Sequence, residues 1–418
     1  MTGKNAFFER NLTVLIIAKV FYSSLFLNSV FLLFFIEKGL SESQFFYAQG
    51  VMAISVVLSE IPCNYLNDRW QHKWGHMLGA VMVLISHLLL AFGEGFLVAC
   101  IFYAILGTSF AFMRGSFGAL LYDTLKALKR TDEHAHYHGL IGAYSRFTMA
   151  VCSVISGVVF AYWSENIIWV QLVSIILLVI TSFFIMEPPR EKIEGKGLQL
   201  NVLAKAFKAT LNHPDMKWIV LMISVIIASQ SKAFYVIQPV MHEASLSFVT
   251  SETSAIVVIF LIGIVSAFSQ LFMAFALKKS EHVKENQFGG CNKNFLKFCC
   301  ALTGGGYFLS GVFHGLWVDV VCLMALFLSS GFAQVAVQHM MHERISSEIR
   351  ATVTAMRSMV TSGMFFLVTF GFAWMIANIG IQMALIMTGI IVGSLAFTGW
   401  KLTNYDDEKF EVITVLER

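Results

Sequence analysis

The sequence predicts an all-α membrane protein of twelve transmembrane helices, and three observations carry that prediction. Apolar residues make up 57% of the 418-residue chain and charged residues 13%, against about 45–50% and about 25% in soluble globular domains. Several stretches of 18 or more residues, 167–186 and 376–400 among them, hold no Asp, Glu, Lys or Arg, and each can cross a hydrocarbon core about 30 Å thick as a helix. Basic residues alternate between the turns. Of 29 Lys and Arg, 23 fall on one side, Lys38 alone falls opposite, and five lie inside apolar runs. The positive-inside rule then puts both termini in the cytoplasm.

The first run, 12–36, is too long for a signal-peptide core and no small-residue cleavage site follows, so it reads as a retained first helix. Run two, 45–66, carries Glu60-Ile61-Pro62 and breaks into Asn67-Asp68-Arg69. Charges are costly in hydrocarbon, so this turn marks a bilayer boundary. Runs three and four, 76–93 and 96–122, meet at Gly93-Glu94-Gly95, and runs five and six, 139–162 and 167–186, meet at Ser164-Glu165-Asn166. The remaining runs are 217–238, 251–277, 295–313, 317–341, 351–376 and 380–401.

The longest polar segment follows run six and divides the chain into an N-terminal bundle (1–186), a cytoplasmic linker (187–216) and a C-terminal bundle (217–418). Within the linker, Leu200, Leu203, Phe207 and Leu211 recur at helical spacing beside Lys205 and Lys208. That pattern predicts an amphipathic helix on the cytoplasmic surface. Seven scattered cysteines suit packing rather than a disulfide framework.

Twelve spans, a mid-chain loop and a charged turn after the second span together resemble the major facilitator superfamily. Its signature there, Gly-x-Leu-Ala-Asp-Arg-x-Gly-Arg-Arg, is similar to Asn64-Tyr65-Leu66-Asn67-Asp68-Arg69-Trp70-Gln71-His72-Lys73, with Asn64 and Gln71 where the signature has glycine. Two other stretches, Arg114 to Lys126 (RGSFGALLYDTLK) and Ile349 to Val353 (IRATV), look like bacterial members of the family. The resemblance implies two six-helix bundles, a central cavity and rocker-switch alternation. It also implies gate residues: Asp68, capping a neighbouring helix terminus, with Arg69, Lys73, Asp123 and Arg350.

The five cations inside the spans are Lys19, Arg114, Arg146, Lys232 and Arg357. All fall on helices that line the cavity in this family, where Tyr22, Asn28, Tyr103, Tyr235 and Gln238 would add polar edges. Against them the spans hold Glu60, with Asp123 at a helix end. An excess of buried cations calls for anions, and guanidinium groups bind carboxylate or phosphate bidentately. The expected function is therefore a secondary active transporter, not an enzyme, moving a small anionic or carboxylate-bearing solute across a bacterial inner membrane. A hydroxy-polycarboxylate such as a citrate-type siderophore is one concrete case. Glu60 is the candidate for coupling to protons.

A multidrug exporter is the alternative within the class, since Arg114 with Gly118 partly echoes the helix-four pattern of proton-coupled exporters. A membrane-embedded acyltransferase is the alternative outside it, resting on the His-x4-Asp spacing of His314 and Asp319. His134-Ala135-His136-Tyr137-His138 would present alternate imidazoles to a metal only if extended, and His339 with His342 shares one helix face. No cofactor, metal or nucleic acid is expected. The expected partners are the solute, the bilayer and protons, and the protein is expected to be a monomer.

Overall fold

Long helices joined by turns of a few residues build the protein, as seen in a computed structural model that describes residues 3–189, 218, 220–233, 235, 264–265, 267–268, 271, 292–313, 315–344 and 347–402. Among these residues there is no strand. Seven stretches of the described residues are long and apolar enough to cross a membrane. Three of those, Phe7–Glu37, Thr131–Phe183 and Arg357–Leu395, each contain a break, between Ser23 and Phe31, at Ser164–Asn166 and at Gly380 (φ 78°). The linker helix expected at 198–211 and Gln238 lie outside the described residues. The chain divides into two compact units, Met1–Gly197 with Ala255–Ala267, and Leu198–Ser254 with Phe268–Arg418.

In the first unit the helices are α1 (Gly3–Ser23), α2 (Phe31–Glu37), α3 (Glu42–Arg69), α4 (His72–Phe92), α5 (Gly95–Ala127), α6 (His134–Trp163) and α7 (Ile167–Phe183). Local chemistry sets their ends. Gly39 (φ 84°) and Gly95 (φ 83°) take the left-handed backbone that two of the turns need. Ser41 and Gln44 form a reciprocal capping box at the start of α3, with Gln44 N–H donating to Ser41 Oγ (3.3 Å) and Ser41 N–H to Gln44 Oε1 (2.9 Å). Lys38 Nζ donates to the Gly93 carbonyl (3.4 Å), joining the turns after α2 and α4 at one end. At the start of α6, the Arg130 guanidinium forks onto Glu133 (2.6 and 2.5 Å) and reaches Glu9 of α1 (2.6 Å). Paired N–H···O bonds of this kind fix geometry as well as charge.

An aromatic core ties α2, α3 and α5 together. Phe31, Phe35, Phe45, Phe102 and Tyr103 meet at centroid distances of 4.9–6.2 Å, mostly edge to face, an arrangement ring quadrupoles favour. Tyr103, expected to line a cavity, is instead 1% exposed within this core, its hydroxyl 3.4 Å from Gln49 Nε2.

The second unit contains α8 (Val220–Ala233), α9 (Asn292–Val312), α10 (Leu316–Arg344) and α11 (Ser347–Leu402). Helices α9 and α11 approach through glycine. A Cβ at Gly304 would lie 2.6 Å from Gly393 N, and one at Gly389 would lie 2.5 Å from Phe308 N. Close backbone approach at small residues supplies the van der Waals packing that holds helices together in lipid. Val220, Ile223, Ile226, Cys299, Cys300 and Ala333 fill the core alongside.

Candidate functional site

Three of the five expected cations stand in the first unit, on α1, α5 and α6. Lys19 is half-buried near the end of α1 and rests on aromatic faces, its Nζ 4.4 Å from the Tyr22 ring centroid and 5.5 Å from that of Phe117. Arg114 of α5 is exposed and Arg146 of α6 half-buried, and both guanidinium groups act electrostatically on the Lys19 ammonium. Tyr22 packs edge-on against Phe110 (6.0 Å), and Phe117 against the buried His76 (6.0 Å). Among the described residues Lys19 makes no ion pair, so the ring quadrupoles are what faces its charge.

Beside this cluster the first span is not one continuous helix. The sequence reads as an unbroken run from 12 to 36, but α1 stops at Ser23 and α2 begins at Phe31, with a 3-10 turn at Asn28–Val30 between them. Unwound backbone inside a membrane must find partners within the protein. Gln171 of α7 supplies them, accepting from Leu27 N–H (3.2 Å) and donating to the Ser24 carbonyl (3.2 Å), while Ser174 Oγ donates to the same carbonyl (3.1 Å). The Ser23 and Ser145 hydroxyls are hydrogen-bonded across α1 and α6. Asn28, expected on a helix face, stands half-buried in the 3-10 turn. The Ser-Ser-Leu-Phe-Leu-Asn-Ser sequence at 23–29 was the available signal, being rich in residues that bond their own backbone.

At the turn after α3, a carboxylate does cap the next helix, but it is Glu187. Its two oxygens accept from His72 N–H (3.0 Å) and Lys73 N–H (2.9 Å) at the start of α4, where an anion is stabilised by the free amides and the helix dipole. Asp68 is exposed, with no ion pair among the described residues. Arg69 donates to Tyr65 Oη (3.2 Å), and the Lys73 ammonium lies 4.7 Å from the Trp74 ring centroid. Asn64 and Gln71, which replace two signature glycines, do not open the helix contacts. A Cβ at Gly75 would collide with the Asn67 amide, and one at Gly115 with Asn64, while Asn67 Nδ2 donates to the Phe112 carbonyl (3.1 Å).

Glu60 is buried at 9% exposure, with Oε2 lacking a hydrogen-bond partner among the described residues. Asp123 is half-buried near the end of α5, next to Thr124, whose hydroxyl accepts from Asn11 (2.9 Å).

In the second unit, Lys232 of α8 is 1% exposed with its ammonium 3.8 Å from the Phe365 ring centroid on α11. Arg357 is half-buried on α11, one turn before Thr361, which meets Ser224 of α8 (3.0 Å). Tyr235 is half-buried, and Arg350 falls in α11.

The His134–His138 stretch is helical, the first turn of α6, so His134 and His138 share one face with ring centroids 6.2 Å apart while His136 points away from them. Asp319 is fully buried and accepts a hydrogen bond from Ser310, while His314 lies outside the described residues. The side chains of His339 and His342 are likewise outside them.

A sequence profile described as Major Facilitator Superfamily matches residues 14–369. No curated protein matches the chain. Among solved structures, a mutant form of the nucleoside transporter NupG superposes with a TM-score of 0.78 at 15% identity, covering 95% of this chain and 100% of that one. A POT family transporter in complex with 5-aminolevulinic acid gives a TM-score of 0.67 at 14% identity, covering 94% of this chain and 97% of that one.

Proposed function

Because the chain belongs to the Major Facilitator Superfamily and is thus a non-enzymatic membrane transporter, we propose that its cargo is a small anionic or carboxylate-bearing solute moved by rocker-switch alternation. The observation that carries this reading is Lys19, an intramembrane ammonium held on aromatic rings with Arg114 and Arg146 in electrostatic range and no carboxylate paired to it among the described residues. Like charges gathered in a low-dielectric setting repel, and an incoming anion relieves that repulsion.

The same proposal takes Lys232 and Arg357 as the second unit's contribution, with Tyr22, Asn28, Tyr235 and Gln238 around the solute. It takes Asp68, Arg69, Lys73, Asp123 and Arg350 as gate residues and Glu60 as the proton-coupling group. It sets a monomer with 1–186 and 217–418 as six-helix halves, a cytoplasmic linker, and both termini on the cytoplasmic side of a bacterial inner membrane. Uptake into proteoliposomes of labelled carboxylates, phosphates, amino acids and nucleosides tests the cargo. Anion uptake that falls at least tenfold in Lys19→Gln and Arg146→Gln supports it; movement of neutral or cationic compounds alone overturns it. Loss of uptake with a protonophore, matched by Glu60→Gln, tests the coupling.

A further inference from the structure

Resting on that anion reading, we infer that the first unit's site takes an anion carried on a planar aromatic or heteroaromatic ring, in preference to an aliphatic polyacid. The rings gathered at Lys19 are more than one ammonium needs. Tyr22 lies under it at 4.4 Å and Phe117 at 5.5 Å, Phe110 braces Tyr22 edge-on at 71°, and His76 braces Phe117. Tyr22, Phe110 and Phe117 are half-buried, whereas the aromatic core between α2, α3 and α5 is closed. Rings set edge to face offer a planar guest both a face and an edge to pack on.

One cation stands on the same helix as two of the rings: Arg114, exposed, lies on α5 with Phe110 and Phe117, while Arg146, half-buried, lies on α6. A guanidinium offers a planar fork that both pairs with a carboxylate and stacks on an aromatic plane. A ligand with its charge on the ring plane satisfies both halves of the site at once: its carboxylates enter among Lys19, Arg114 and Arg146, and its ring lies against Tyr22 or Phe117. A flexible hydroxy-polycarboxylate satisfies the charges but adds no ring to pack on Tyr22 or Phe117.

The test compares two dianions of matched charge, phthalate and trans-1,2-cyclohexanedicarboxylate, with citrate as the aliphatic polyacid. Binding is measured calorimetrically on the purified full chain, and uptake of each labelled dianion in proteoliposomes. Phthalate is expected to bind about tenfold more tightly than its saturated analogue, the scale of one aromatic pair. Tyr22→Leu or Phe117→Leu should shrink that ratio toward one, weakening phthalate several-fold more than the saturated dianion. Equal affinity for the two dianions, or a preference for citrate, overturns the ring inference and leaves the anion reading standing. Equal weakening of both dianions by Tyr22→Leu also overturns it, since the ring would then only support Lys19. No binding of any of the three, together with uptake of neutral or cationic compounds alone, overturns the anion reading itself.

Discussion

Replacing Gln171 with leucine isolates what the break in the first span needs in order to persist. The side chain is 1% exposed and serves two backbone groups, the Leu27 N–H and the Ser24 carbonyl. The carbonyl keeps Ser174 as a second donor, so Gln171→Leu strands one amide outright. An orphaned buried backbone group costs about 1–3 kcal/mol, and hydrogen bonds between membrane helices average about 0.6 with a maximum near 1.7 kcal/mol. A loss of about 2 kcal/mol is therefore expected, confined to the break. Hydrogen exchange on the peptide covering 24–30 should quicken about 30-fold, the same energy expressed as an opening equilibrium. Ser174→Ala alone should change little, because Gln171 still serves Ser24, and the double variant should cost more than the two singles added. Unchanged exchange at 24–30 in Gln171→Leu, or a larger effect from Ser174→Ala, would refute this account of the break.

Two further outcomes follow from contacts elsewhere in the first unit. Glu187→Gln keeps an acceptor near His72 and Lys73 but removes the charge, and should destabilise the first turn of α4 by about 0.3–1 kcal/mol; Glu187→Ala should cost more, and both are read as faster exchange over 72–76. Tyr103→Phe gives up only the long contact with Gln49 and should leave transport and melting temperature nearly unaltered, whereas Tyr103→Ala, opening a cavity among four other rings, should lose about 3–5 kcal/mol of stability.

The apolar runs of the N-terminal half were readable because hydrocarbon imposes length and apolarity on any spanning helix. Runs 45–66, 76–93 and 96–122 correspond to helices Glu42–Arg69, His72–Phe92 and Gly95–Ala127. Composition alone does not reveal where backbone polarity is absorbed by a distant partner. The break at Ser24–Leu27 has neither proline nor glycine, and the residue that makes it tolerable, Gln171, stands 144 positions beyond Leu27. The cap on α4 comes from Glu187, 115 positions beyond His72, while Asp68, adjacent in sequence, stays exposed. The cations Lys19, Arg114 and Arg146 were visible as charges out of place, but the rings beneath Lys19 were hidden among 39 phenylalanines. Only packing distinguishes Phe117 from a lipid-facing ring.

The Asn67 contact has a consequence for how such sequences diverge. Its amide fills the space that a side chain at Gly75 would need and bonds the Phe112 carbonyl of α5, while Asn64 does the same against Gly115. The glycines that let three helices meet stand at 75 on α4 and at 115 on α5, where the two asparagines of α3 pack. Positions 64, 67, 75 and 115 are therefore bound to one another by volume: a methyl group gained at 75 or 115 is tolerated only where an asparagine shrinks, and neither change survives well alone. A relative carrying glycine at 64 should be free to carry a larger residue at 115, so the four positions are expected to drift as a set even where the charged turn beside them is unrecognisable.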